Sequence, residues 1–224
     1  MQQLLTTQPD AHALLVYCHG WGMNPLAVQE LQLPAGLDLL QLWDYRSADR
    51  ALPKKSYGSY YLVAWSMGVW AAEVYGIAQA LGPWRKRIAL CGTPYAVDDA
   101  RGMPEATVRA IRRELTRGSR ERFNRIMAGG RGMPGVLRAL EATPTIHLLE
   151  ELQTAQETPL REREDPTPWD LAVIGGKDRV IPPQNQQTYW QGQGVPTLLL
   201  PQMGHYPFAG CTSWADCLRL SPTP

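Results

Sequence analysis

Tyr61-Leu62-Val63-Ala64-Trp65-Ser66-Met67-Gly68-Val69-Trp70 is an apolar run interrupted only by a serine and, two residues later, a glycine. Its left half, up to Trp65, has the continuous apolar character of a strand buried on both faces. To the right, a helical pattern runs from Val69 to Leu81. Between them, Ala64-x-Ser66-x-Gly68 nearly matches the G-x-S-x-G elbow, which turns a strand into a helix and lifts a serine hydroxyl clear of the sheet. Tiny residues are needed two before and two after the serine because the two backbones approach closely there. Ala64 adds one methyl group to the usual glycine, so the turn can still close. The backbone N–H of Met67 then points to where an oxyanion would develop. Small residues and serine also meet at ordinary strand-to-helix turns, so the assignment depends on partners elsewhere in the chain.

Working outward, similar apolar runs recur at Ala13 to Cys18, Leu37 to Trp43, Arg87 to Cys91, Leu171 to Ile174 and Val195 to Leu200. Helical segments such as Pro183 to Tyr189 fall between most of them. This alternation predicts an α/β fold with a mostly parallel sheet flanked by helices, the α/β-hydrolase arrangement. A chain of 224 residues fits one such domain, 1–224. Between Cys91 and Leu171 strand signals stop and helical ones take over. Pro104 opens a stripe of Val108, Ile111 and Leu115; Phe123, Ile126 and Met127 mark a second helix, and Leu148, Leu149 and Leu152 a later one. Residues 93–168 are therefore expected to form a helical lid inserted over one edge of the sheet.

The partners a serine needs occur in the order this fold uses, Ser then Asp then His. Gly175-Gly176-Lys177-Asp178 follows one strand and Met203-Gly204-His205 follows the last. His205 would take the proton from Ser66, and Asp178 would orient the imidazole and stabilise its charged form. Taken singly, Asp178 is also what a turn aspartate looks like, and His205 a surface histidine. Asp44, Asp98 and Asp99 also follow strands and stand in reserve. After the first strong strand comes Cys18-His19-Gly20-Trp21-Gly22, where the Trp21 amide is placed as the second oxyanion donor. His19 is expected to hydrogen-bond within that loop and hold its shape, and His12 and His147 to face solvent. Trp21 and Trp65 flank the site and either wall an acyl channel or belong to the core.

Composition excludes several other classes. A formal net charge of +1 gives no global field for nucleic acid or an acidic membrane. No apolar run approaches the roughly 20 residues of a membrane span. Met1-Gln2-Gln3 carries no secretory n-region. The four cysteines have neither metal spacing nor a disulfide framework, and Cys211 and Cys217, six apart, would face different ways on a helix. A reduced cytoplasmic protein with no metal and no cofactor is expected; oligomeric state is left open.

The elbow Leu62 to Trp70 closely resembles that of the BioG family, pimeloyl-[acyl-carrier protein] methyl ester esterases of biotin synthesis. Gly20-Trp21-Gly22, Asp44-Tyr45 and Gly204-His205-Tyr206 are similar to that family's other signatures, and the resemblance extends over nearly the whole chain. It implies a serine esterase that releases methanol from pimeloyl-acyl-carrier-protein methyl ester, with Ser66, Asp178 and His205 as triad and Trp21 and Met67 as oxyanion donors. Trp21, Trp65 and Phe123 are the candidate substrate contacts. The implied partner is the acidic carrier protein. Ten arginines between Arg101 and Arg138, against Glu105, Glu114 and Glu121, suit such a partner. Arg109, Arg113, Arg117, Arg122 and Arg125 are the docking candidates; alternatively these arginines pair internally with the acidic stretch Glu141 to Asp165, or simply solvate a helix face. Two other readings compete: a general carboxylesterase or thioesterase, and a non-catalytic α/β-hydrolase scaffold binding an acidic partner.

Overall fold

The computed structural model describes residues 1–51, 53–127, 133–158, 160 and 166–222. Among these, seven strands form one sheet: β1 (Gln2–Thr6), β2 (Ala13–Cys18), β3 (Leu37–Trp43), β4 (Ser59–Trp65), β5 (Trp84–Leu90), β6 (Leu171–Gly175) and β7 (Thr197–Leu200). Their spatial order is β1-β3-β2-β4-β5-β6-β7, all parallel except β1, which runs antiparallel along β3. This is the α/β-hydrolase class of architecture. The central strands read as unbroken apolar runs because both faces are covered. Leu14, Val16, Leu62 and Ala64 point into one core, and Leu15, Tyr17 and Val63 into the other.

β1 has no counterpart among the sequence expectations. All five of its residues are exposed, so it carries no burial pattern and is held by its ladder to β3. β5 begins at Trp84, earlier than Arg87; its first half bears Arg85 and Lys86 and is only partly covered.

Eight α-helices and one short 3-10 helix (Pro25–Ala27) accompany the sheet among the described residues. α1 (Met67–Val74) and α2 (Ile77–Ala80) replace the single helix expected over 69–81, because Gly76 adopts a left-handed φ of 62° that ends one helix before the next begins. Between β5 and β6 lie α3 (Glu105–Arg117), α4 (Arg120–Met127), α5 (Pro134–Ala142) and α6 (Thr145–Glu157). Val108, Ile111, Leu115, Phe123, Leu140 and Leu148 face inward from them, joining one core cluster with Trp21, Met23 and Trp65. α7 (Pro183–Gly192) and α8 (Trp214–Leu218) follow β6 and β7. Cys211 lies in the loop ahead of α8 rather than on a helix. Its thiol interacts with that of Cys217, which favours the thiolate at Cys211 and lowers its pKa. All four cysteines are free. No helix among the described residues is long and apolar enough to cross a membrane.

Candidate active site

Ser66 stands between β4 and α1 with φ 56° and ψ −121°, a left-handed conformation that only a closely supported turn holds in a non-glycine residue. The support is steric. A Cβ on Gly68 would lie 2.3 Å from the Cys18 carbonyl oxygen, and one on Gly92 would lie 2.5 Å from the Ser66 carbonyl oxygen. Three backbones thus meet around the serine at distances that glycine alone permits.

The structure brings Ser66, His205 and Asp178 together. His205 Nε2 is 2.8 Å from Ser66 Oγ, and His205 Nδ1 is 2.8 Å from Asp178 Oδ2. A carboxylate only accepts, so Nδ1 carries the ring proton and Nε2 presents its lone pair to the serine hydroxyl. Asp178 is itself fastened: Oδ1 accepts from the Val180 and Ile181 amides at 2.8 and 3.0 Å, and Oδ2 also accepts from Gln186 Nε2 at 3.0 Å. Gln186, fully buried on α7, went unnoticed in the sequence, since a glutamine in a polar helical turn reads as solvated. Trp65 Nε1 donates to the His205 carbonyl at 2.8 Å, tying the histidine loop back to the strand that carries the serine.

The reserve aspartates are engaged elsewhere. Asp44 is paired with Arg46 at 2.6 Å, Asp98 with Arg101 at 2.7 Å, and Asp99 accepts from the Glu105 amide at 2.8 Å. Met67 begins α1, so its amide has no partner within the helix, and the Trp21 amide likewise donates to no acceptor among the described residues. His19 does not bond within its own loop. Its Nε2 meets Gln41 Oε1 on β3 at 2.9 Å, and full burial pushes its pKa down to about 3, so the ring is neutral. His12 is exposed and His147 half-buried.

A cavity of about 590 Å³ opens from Ser66 toward the helices after β5. Trp21, Trp65, Met103, Ile111 and Val136 form part of its wall. Phe123 is not among its lining residues: it is buried with its ring edge-on to Trp21 at 6.1 Å, while Ile126 and Met127 of the same helix reach the cavity. Lys177 and Arg179, on either side of Asp178, reach the cavity as exposed cations with no acidic partner among the described residues. In the sequence only their place beside the aspartate marks them.

Arg109, Arg113, Arg117, Arg122 and Arg125 are all exposed. Arg109 pairs with Glu105 at 3.1 Å and Arg125 with Glu121 at 3.5 Å. Other arginines of this region are structural: Arg120 bonds the Leu140 and Thr143 carbonyls, and Arg138 pairs with Glu30. The anticipated pairing with the acidic stretch is thin among the described residues, where Arg112 reaches Gln156, a neutral side chain, at 2.6 Å. Arg131 and residues 161–165, along with other parts of 93–168, lie outside the described residues.

This geometry has relatives. The crystal structure of BioG from Haemophilus influenzae superposes with a TM-score of 0.81 at 29% identity, covering 96% of this chain and 99% of that one. An esterase from Exiguobacterium antarcticum shares the fold, with a TM-score of 0.64 at 16% identity over 93% of this chain and 89% of its own. A malonyl-[acyl-carrier protein] O-methyltransferase from Bacteroides fragilis is 34% identical over 179 residues, 79% of this chain; the chain spans 36% of that relative's length. The family model described as pimeloyl-ACP methyl esterase BioG matches residues 2–217, and with nearly the whole sequence accounted for, this chain belongs to the BioG family.

Proposed function

We propose that the chain is a serine esterase that hydrolyses the methyl ester of pimeloyl-acyl-carrier protein, as a step of biotin synthesis. The observation that carries this reading is the hydrogen-bonded series Ser66–His205–Asp178 opening onto a largely apolar cavity. In the first half-reaction His205 Nε2 removes the hydroxyl proton as Ser66 Oγ attacks the ester carbonyl. The Trp21 and Met67 amides receive the oxyanion. Collapse expels methoxide, which leaves as methanol with the proton from His205. Water activated by the same imidazole then cleaves the acyl-enzyme, leaving a carboxylate on the acyl chain and regenerating Ser66.

The substrate assignment rests on three supports. The family description names this ester. The relative from Bacteroides fragilis is named for placing a methyl group on a carrier-bound acyl chain, the chemistry whose product an esterase of this kind reverses. Exposed cations are available to an acidic carrier: Arg109, Arg113, Arg117, Arg122 and Arg125 on α3 and α4, two helices that also contribute lining residues, and Lys177 and Arg179 at the cavity itself. In the same reading the helices after β5 form a lid over the acyl chain, with Trp21 and Trp65 as its aromatic walls. A carrier bearing carboxylates would be steered and held by this surface, and the weak exposed pairs to Glu105 and Glu121 offer little resistance to exchange.

One observation favours a broader esterase. Five methionines, Met23, Met67, Met103, Met127 and Met133, line the cavity, and such walls adapt to several acyl shapes. Methanol release from pimeloyl-acyl-carrier-protein methyl ester, set beside hydrolysis of p-nitrophenyl butyrate, separates the two. A strong preference for the carrier-linked ester supports the proposal; hydrolysis of the small ester alone leaves a general esterase.

The docking surface has its own prediction. Reversing Arg109, Arg113 and Arg117 to Glu together should lower kcat/KM for the carrier-linked ester at least tenfold at low salt, with the deficit shrinking as salt rises. The small ester should be turned over within about twofold of the unmodified rate. Equal losses on both substrates would remove the docking role.

A further inference from the structure

The loop that carries the Trp21 amide is held from behind by a buried carboxylate far away in sequence. Glu151, on α6, is only 3% exposed. Its Oε2 accepts from the Gly22 amide at 2.9 Å and its Oε1 from the Tyr45 amide at 2.9 Å. One turn earlier on the same helix, the Leu148 carbonyl accepts from Trp21 Nε1 at 2.9 Å. A Cβ on Gly22 would lie 2.4 Å from Leu148 Cδ2, so loop and helix are in close contact. The indole and the peptide that follows Trp21 are therefore both pinned to α6, which leaves the Trp21 amide little freedom to turn.

We propose that Glu151 is a positioning residue for ester hydrolysis, acting through the Gly22 and Tyr45 amides to hold the Trp21 N–H at the oxyanion. This inference rests on the esterase reading above. An ionised carboxylate can accept both amides at once. Protonation places an O–H against one of them, and the clamp loosens on that side. Burial raises the pKa of Glu151 to about 7, opposed by the two amide hydrogen bonds, so the change falls within the working range of an enzyme. The groups around it are Asp44 and Arg46 beyond β3, the Met1 amino group, Tyr45, Tyr75 beyond α1, and His147 on its own helix. Activity should then need Glu151 deprotonated and fall as pH drops through about 7, in addition to the free imidazole lone pair that proton transfer from Ser66 requires.

The test is the pH dependence of p-nitrophenyl butyrate hydrolysis by the full chain and by Glu151→Gln. Glutamine keeps the shape but turns an NH₂ toward one backbone N–H. At pH 8 the variant should lose roughly 10- to 100-fold in kcat with KM within about threefold, since the oxyanion forms only in the transition state. On the acid side, log kcat/KM of the unmodified protein should approach a slope of two, and that of the variant a slope of one. A cooperatively folded variant with kcat within twofold, or an unmodified protein with a slope of one, overturns the proposal. The second criterion stands even if the variant does not fold. Failure of the unmodified protein to hydrolyse the ester or to be labelled by a fluorophosphonate would overturn the esterase reading and this inference with it. Labelling at a normal rate with an unchanged acid limb overturns this inference alone.

Discussion

Ser66→Ala should abolish methanol release, lowering kcat by roughly 10⁴- to 10⁶-fold. Without Oγ no acyl-enzyme forms, and only water assisted by His205 and the free amides remains to attack the ester. The fold should tolerate the change. Ser66 is nearly buried, its hydroxyl bonds only to His205 among the described residues, and alanine needs the same backbone conformation. Thermal unfolding should therefore shift by no more than a few degrees, on the scale of about 1 kcal/mol. Residual activity above about 1% with an intact fold would mean that the ester is cleaved by some other group.

Gly68→Ala should act in the opposite way, through the fold first and the chemistry second. Its new methyl would lie 2.3 Å from the Cys18 oxygen and 2.6 Å from the His19 oxygen. Neither can retreat cheaply. Cys18 is paired on both sides in the sheet, with Leu42 and Ala64, and the His19 carbonyl accepts from Tyr45 Oη at 2.8 Å. The helix must move instead, carrying Met67 with it and twisting Ser66 away from His205. A loss of roughly 2–4 kcal/mol in denaturant unfolding is expected, with kcat reduced even in the folded fraction. Gly192→Ala is the matched control, because a methyl there meets nothing within 4 Å. Equal stability of the two variants would show that α1 does not cross the end of β2 at the 2.3 Å approach between a Gly68 Cβ and the Cys18 oxygen.

Much of the site could be read from the sequence because each of its main parts is a local pattern. Ser66, Asp178, His205 and the Gly20–Gly22 loop each stand at the end of an apolar strand and beside glycines, so turn chemistry and burial mark them without knowledge of the partner segments. The strands themselves were legible wherever both faces are buried. β1 was not, since an exposed edge strand is defined by its neighbour's hydrogen bonds rather than by its own side chains. The break between α1 and α2 is not legible either, although a glycine stands there, because the apolar pattern continues across it. Phe123 shows a different limit: periodicity predicts that it is buried, but not whether it faces the cavity or the layer behind it.

The amino-acid sequence by itself determined the α/β class, the order in which Ser66, Asp178 and His205 follow successive strands, and the presence of a helical segment between two strands. These are consequences of side-chain period, chain direction and the few residues that tight turns accept. The tertiary structure alone decided which polar residues hold the site in place. Gln186 and Glu151 sit in helices where a polar residue normally meets water, and they acquire their roles by burial against segments distant in the chain; Glu151 reaches amides 129 and 106 residues away. The same holds for the cations: the sequence counts the arginines, but only packing separates Arg120 and Arg138, which are tied to other parts of the fold, from Arg113, Arg117 and Arg122, which face solvent. A local pattern carries no record of such pairings, because their energy comes from removing a polar group from water against a partner that folding alone brings near.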